Sequence, residues 1–384
     1  MPGIHTAESR RVSLNRRDLL RLVSGATASG AVPRGAVLAA APRRKTVLVT
    51  FGGGARDDET FAVNGQRNIP HLLNELVPQG TFFTQVINRG ILGHYVATAG
   101  ITTGSYETFN NFVAQPPEAP TLFEYFRRQM RRPAEEAWVI APSIGFRHIG
   151  ASSHRSYGPS FAAEVIIPKH ILSSVMPARD ARDLSDVASL LQDNYESPLM
   201  IGGSTIDDRD RSLARLSSLR ISVDDYVHQA RTSGSSDQLS VYVAEMLMES
   251  VAPSLLMITL HDMDVAHTGT FSLYLEGIQR SDRLCAQLWK SIQANPEYKD
   301  RTALLILPDF GRDADGDPGG NGFQHHRTGS AIARTTWMLA LGPHVRQNAT
   351  VDRPIESIDV APTIGGILGF DTPFCSGTRI AELL

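Results

Sequence analysis

The stretch from Leu255 to Gly269 reads LLMITLHDMDVAHTG. Its first six residues, Leu255 to Leu260, are apolar or β-branched without a charged break. A short run of that kind predicts a strand covered on both faces, as in a parallel sheet. The polarity then changes abruptly. His261, Asp262, Asp264 and His267 crowd into seven residues before Gly269 stops the turn. In open α/β sheets ligands collect beyond the carboxyl ends of the strands, so this abrupt change marks a candidate site.

The same pattern recurs outward in both directions. Lys45 to Phe51 (KTVLVTF) is a second buried-strand run and ends in Gly52-Gly53-Gly54. Thr302 to Leu307 (TALLIL) is a third, followed by Pro308-Asp309-Phe310-Gly311-Arg312-Asp313. Thr81 to Ile87, Ala137 to Ile140 and Trp337 to Leu341 add further strands. Between them lie segments of helical periodicity: Ile69 to Leu76, with Pro70 near its start, Thr121 to Gln129, Val241 to Val251, Tyr274 to Ile292 and Asp359 to Leu368. Strands alternating with helices predict an α/β fold, a doubly wound and mostly parallel sheet with helices on both faces. Residues from about 150 to 220 are irregular and rich in Ser, Asp and Arg, and read as a cap or insertion over the sheet. The domain proper is expected over 45–384.

The chain has 384 residues, enough for one large α/β domain. A net charge of −3 leaves no basic footprint, so nucleic acid is not an expected partner. Two cysteines, Cys285 and Cys375, exclude a disulfide framework and a cysteine-based zinc cluster. Residues 1–41 carry Arg16-Arg17, a mildly apolar stretch from Leu19 to Val32 and a small-residue cleavage site at Ala39-Ala40-Ala41. This looks like a twin-arginine export signal, which predicts a periplasmic or extracellular protein. The apolar stretch is too short and polar to span a bilayer, and no transmembrane helix is expected in the mature chain. The composition leaves the oligomeric state open.

Carboxylates and imidazoles converging from separate strand ends suit a divalent cation. The candidates are Asp264, His267, Asp309 and one of the pair His325 and His326. Zinc is the first choice, with manganese, iron or calcium as alternatives. The plain alternative for each residue alone is a helix cap or a solvated surface group.

In block order these pieces resemble the alkaline phosphatase and sulfatase superfamily, including its nucleotide pyrophosphatase-type members. IPHLLNELVPQGTFFTQV (69–86) and the ending Thr103-Gly104 resemble the family's amino-terminal block and its nucleophile loop. Asp264 to Gly269 resembles the Asp…Gly-His block, and Tyr274 and Asp282 match the tyrosine and aspartate that come after that block in the family. Asp309-Phe310-Gly311-Arg312 resembles the Asp-His-Gly block. His325 or His326 stands for the late histidine ligand, and Leu341-Gly342-Pro343 precedes the closing helix. The resemblance implies hydrolysis or transfer of a phosphate or sulfate ester, a small anionic substrate. It also implies a hydroxyl or formylglycine nucleophile and two metals about 4 Å apart that stabilise the attacking and leaving oxygens.

Three departures are grouped rather than scattered. Gly52 stands where the family has a metal-binding aspartate; Asp57, Asp58 and Glu59 lie a few residues on, as substitutes if the loop reshapes. The ungapped count from Thr103-Gly104 puts His94 at the nucleophile's place, and Thr98, Thr102 and Thr103 come later. Phe310 replaces the histidine of Asp-His-Gly. The resemblance thus implies one intact metal site, Asp264, His267 and His326, and one dismantled site in which Asp309 survives. Two readings are open. One is a mononuclear hydrolase in which His94 is base or covalent phosphoacceptor and Arg312 or Arg56 holds the anion. The other is a non-catalytic relative that binds a ligand or a protein partner.

Overall fold

The computed structural model describes residues 43–384 apart from 112–114, 177–186, 188–189, 191–205, 318–321 and 328. The expected export segment 1–41 and much of the expected cap lie outside the described residues. Among the described residues eight strands form one sheet: β1 (Lys45–Phe51), β2 (Gly80–Ile87), β3 (Ala137–Ile140), β4 (Glu164–Ile166), β5 (Leu255–Leu260), β6 (Thr302–Pro308), β7 (Thr335–Leu341) and β8 (Ala349–Glu356). Their order is β4-β3-β5-β1-β6-β7-β2-β8. All neighbours pair parallel except β7, which runs antiparallel to both β6 and β2.

Every residue of β1, β3, β5 and β6 is buried, because both faces of the sheet are covered. The helices of the described residues are α1 (His94–Thr103), α2 (Leu122–Gln129), α3 (Pro168–Val175), α4 (Ile206–Ser218), α5 (Val223–Thr232), α6 (Ser236–Ser250), α7 (Phe271–Ala294), α8 (Ala331–Arg334) and α9 (Val360–Leu368). Alternation along β1 divides the core in two. Val47 and Val49 pack with Leu239 and Leu247 of α6 and Leu284 and Leu288 of α7. Leu48 packs on the other face with Val96 of α1, Phe123 of α2 and Ile364 of α9.

Two elements differ from expectation. Ile69 to Leu76 is not a regular α-helix: Leu72–Leu76 winds as a wide π-type turn and Val77–Gln79 as a 3₁₀ turn. Pro78 has no N–H to give to the turn below, so the regular ladder stops there. The buried Asp282 carboxylate accepts the His71 and Leu72 N–H groups at 3.0 and 2.6 Å and anchors the start of this segment. Part of the irregular stretch 150–220 joins the sheet, since β4 pairs with β3 as an edge strand.

Candidate metal centre

β1, β5 and β6 lie side by side, with Phe51 level with Leu260 on one side and Pro308 on the other. Their next residues, Gly52, His261 and Asp309, therefore emerge together at one edge of the sheet. After β5 the chain tightens into a 3₁₀ turn, Asp262–Thr268, closed by Gly269 at φ +76°. Residues three apart eclipse each other in a 3₁₀ helix, which puts Asp264 and His267 on one side of it. The turn is pinned from α6: the buried Asp237 carboxylate accepts the His261 and Asp262 N–H groups at 2.7 and 2.9 Å.

Four side chains converge there. One ligand atom from each of His94, Asp264, His267 and His326 lies within 4.8 Å of one from every other. His267 Nε2 is 3.2 Å from Asp264 Oδ1 and 3.0 Å from His326 Nε2. His326 donates its Nδ1 hydrogen to the Leu92 carbonyl at 3.0 Å, which leaves Nε2 facing the cluster. His94 enters from the first residue of α1. Its Nδ1 is 2.7 Å from Asp309 Oδ2 and its Nε2 is 3.0 Å from Asp264 Oδ1. Arg312 is wholly buried and donates from Nη2 to Asp264 Oδ1 at 2.9 Å.

The electrostatics follow from this packing. Burial alone would push His94 down, but the Asp264 and Asp309 carboxylates outweigh it and raise it to about 9. Burial also opposes ionisation of Asp264, yet His94 and His267 hold that carboxyl well below the usual range. His326 is driven the other way, to about 2, by burial and by the cationic His94 and Arg312. It is therefore a neutral imidazole with a lone pair, the form in which histidine binds metal. Asp264 Oδ2 is buried and makes no hydrogen bond, with His261 Nε2 3.8 Å away. A buried carboxylate oxygen without a hydrogen bond is costly, and a nearby cation offsets that cost. Imidazole nitrogens with a carboxylate oxygen are a donor set that suits a divalent cation.

The other half is filled instead. A Cβ on Gly52 would lie 2.5 Å from His261 Cδ2, so the His261 ring stands where an aspartate at position 52 would begin. Phe310 is fully buried, stacks on His94 with ring centroids 4.9 Å apart, and packs with Leu92, Ala97 and Ala333. Asp57 and Asp58 are exposed. Glu59 is buried in a pair with Arg56 and also accepts from the Tyr274 hydroxyl. None of the three substitutes for the missing aspartate.

The expected site residues take different positions around the cluster. His326 rather than His325 enters the cluster; the His325 ring lies 5.8 Å from that of His267, and its backbone N–H turns back to Gly322. Asp309 stands behind His94, with Oδ1 accepting the Phe310 and Gly53 N–H groups. Arg312 does not present itself to a substrate, because its donors go to Asp264, the Gly54 carbonyl and the Phe323 carbonyl. His94 is 2% exposed and both its nitrogens face carboxylates. Thr98 and Thr102 are buried in α1, the latter bonded to the Ala99 carbonyl. The sequence reading missed His261 and Asp237 as parts of the site. His261 carried a signal, being the first residue after β5; Asp237 carried none.

Neither a protein-family model nor a curated protein sequence matches the chain. Solved structures do. A phosphonate monoester hydrolase of Agrobacterium radiobacter matches with a TM-score of 0.52 and 13% identity, over 89% of this chain and 77% of its own. A protein in the alkaline phosphatase superfamily from Vibrio parahaemolyticus matches with a TM-score of 0.51 and 14% identity, over 89% and 69%. A variant of the alkaline phosphatase PafA gives 0.52 and 10%, over 89% and 99%. The chain has the alkaline phosphatase superfamily fold. Within that fold Asp264, His267 and His326 converge with His94 beyond the carboxyl ends of the central strands, and His261 and Phe310 pack beside them.

Proposed function

We propose that this is an exported metal-dependent hydrolase or transferase acting on a phosphate or sulfate ester through a single metal centre. The convergence of Asp264, His267 and His326 supports this reading. Zinc is the fitting ion; when bound it would polarise an ester oxygen and activate water. The chain's own part is positional. Arg312 donates to Asp264 Oδ1, the oxygen that His94 and His267 also face, and so fixes the carboxylate, and the Leu92 carbonyl fixes the tautomer of His326. The His267 side chain is 23% exposed and gives the cluster an approach from solvent.

The test is elemental analysis of the purified mature chain, followed by assays on aryl phosphate and aryl sulfate esters. About one equivalent of zinc and turnover abolished by His267→Ala are expected. Metal-loaded protein inert toward both ester classes would refute the hydrolase reading. That result would favour a second reading, a non-catalytic metal protein that binds a ligand or partner. Its support is the filling of the second position by Phe310 and His261, together with the absence of a hydroxyl or thiol at residue 94.

A further inference from the structure

We infer that His94 is a fourth protein ligand of the same metal, and that Asp309 is the positioning carboxylate that aims it. This rests on the single-centre reading above and extends it: the residue at the place of the superfamily's nucleophile has become part of the coordination shell.

Three observations carry it. His94 Nε2 falls inside the converging group, in reach of Asp264 as closely as His267 is. Its other nitrogen is engaged by Asp309 Oδ2 at 2.7 Å. A carboxylate accepting the far N–H of an imidazole fixes ring orientation and, once an ion displaces the proton from the other nitrogen, aims that nitrogen at the ion. His326 shows the same device with the Leu92 carbonyl as acceptor. Finally, the His94 ring cannot swing away. Phe310 covers one face at 4.9 Å, and the His261 ring meets it edge-on with centroids 5.3 Å apart. The residues that fill the second position thus clamp the ligand of the first. Asp309 is kept for this purpose, its Oδ1 tied to the Gly53 and Phe310 N–H groups and its Oδ2 turned to His94.

The consequence is a three-histidine, one-aspartate shell, in which water or an ester oxygen would enter as a fifth ligand. The experiment compares wild type, His94→Ala, Asp309→Asn and His267→Ala. Zinc affinity is measured by chelator competition, and imidazole ligands are counted by X-ray absorption. Wild type should show three imidazoles, and His94→Ala two with much weaker binding. Asp309→Asn, which keeps the side chain's shape, should retain one equivalent at about 10- to 100-fold lower affinity. If His94→Ala fails to fold, the Asp309→Asn shift decides. Wild-type zinc with only two imidazoles, or unchanged affinity in Asp309→Asn, would overturn the inference while leaving the three-residue centre intact. A wild type that takes up no metal, behaving as His267→Ala does, would refute the underlying reading as well.

Discussion

The two halves of the site at the ends of β1, β5 and β6 have opposite fates. On one side Asp264, His267 and His326 keep polar atoms aimed at a common point, and a buried carboxylate oxygen is left without a hydrogen bond. On the other, a glycine, a phenylalanine and a displaced histidine ring fill the space, and Asp309 is turned onto His94. Where the family resemblance implies an aspartate and a histidine, the chain has Gly52 and Phe310, and no hole results. Protein interiors are close-packed, and here the His261 and Phe310 rings occupy the volume and brace the cluster beside it.

This contrast can be broken in graded ways. The largest effect is expected for Arg312→Ala, which strips the intact half of its buried cation. Removing one member of a buried ion pair costs about 3–5 kcal/mol. Urea unfolding should show it, and saturating zinc should reduce the loss, because a second cation then balances Asp264. Chelation comes next. If zinc is present at about 100 times its dissociation constant, removing it with EDTA should cost about 2.7 kcal/mol, read as a fall in Tm. An unchanged Tm would mean that the cluster holds no metal.

The filled half is tested by Gly52→Asp, whose Cβ would collide with His261. Overpacking of that kind costs about 1–3 kcal/mol. Adding His261→Ala should recover most of it, a coupling that a double-mutant cycle measures. With Phe310→His as well, a second equivalent of metal should appear on elemental analysis. The smallest effect is expected for Asp237→Asn. One of the two N–H groups at the start of the 3₁₀ turn then faces an amide NH₂, a loss of about 1 kcal/mol by thermal melts.

Legibility in the sequence divides along the same line. β1, β5 and β6 announced themselves because strands buried on both faces are written as unbroken apolar runs. Asp264 and His267 were visible because a single turn holds them both. β8 was missed because its residues are mostly exposed and it contains Pro354, which a sheet tolerates at an edge. β4 is three residues long, too short for alternation to show. The Asp309 to His94 contact joins residues 215 apart, and the Asp237 anchor reaches 24 residues along the chain. No local period encodes such pairs. The meaning of Gly52 was the hardest to see, since the residue that explains it, His261, belongs to another strand end.

The amino end of α1 is fastened by three contacts to the segments that follow β5 and β6. The Leu92 carbonyl receives His326, and His94 reaches Asp264 and Asp309. All ten residues of that helix are buried, so it cannot loosen without disturbing these ties. Whatever loads the cluster also sets how often α1 opens. Amide exchange along Val96–Thr103, in a helix whose interior carries none of the ligands, thereby becomes a gauge of occupancy: slow when the centre is filled, faster when it is stripped.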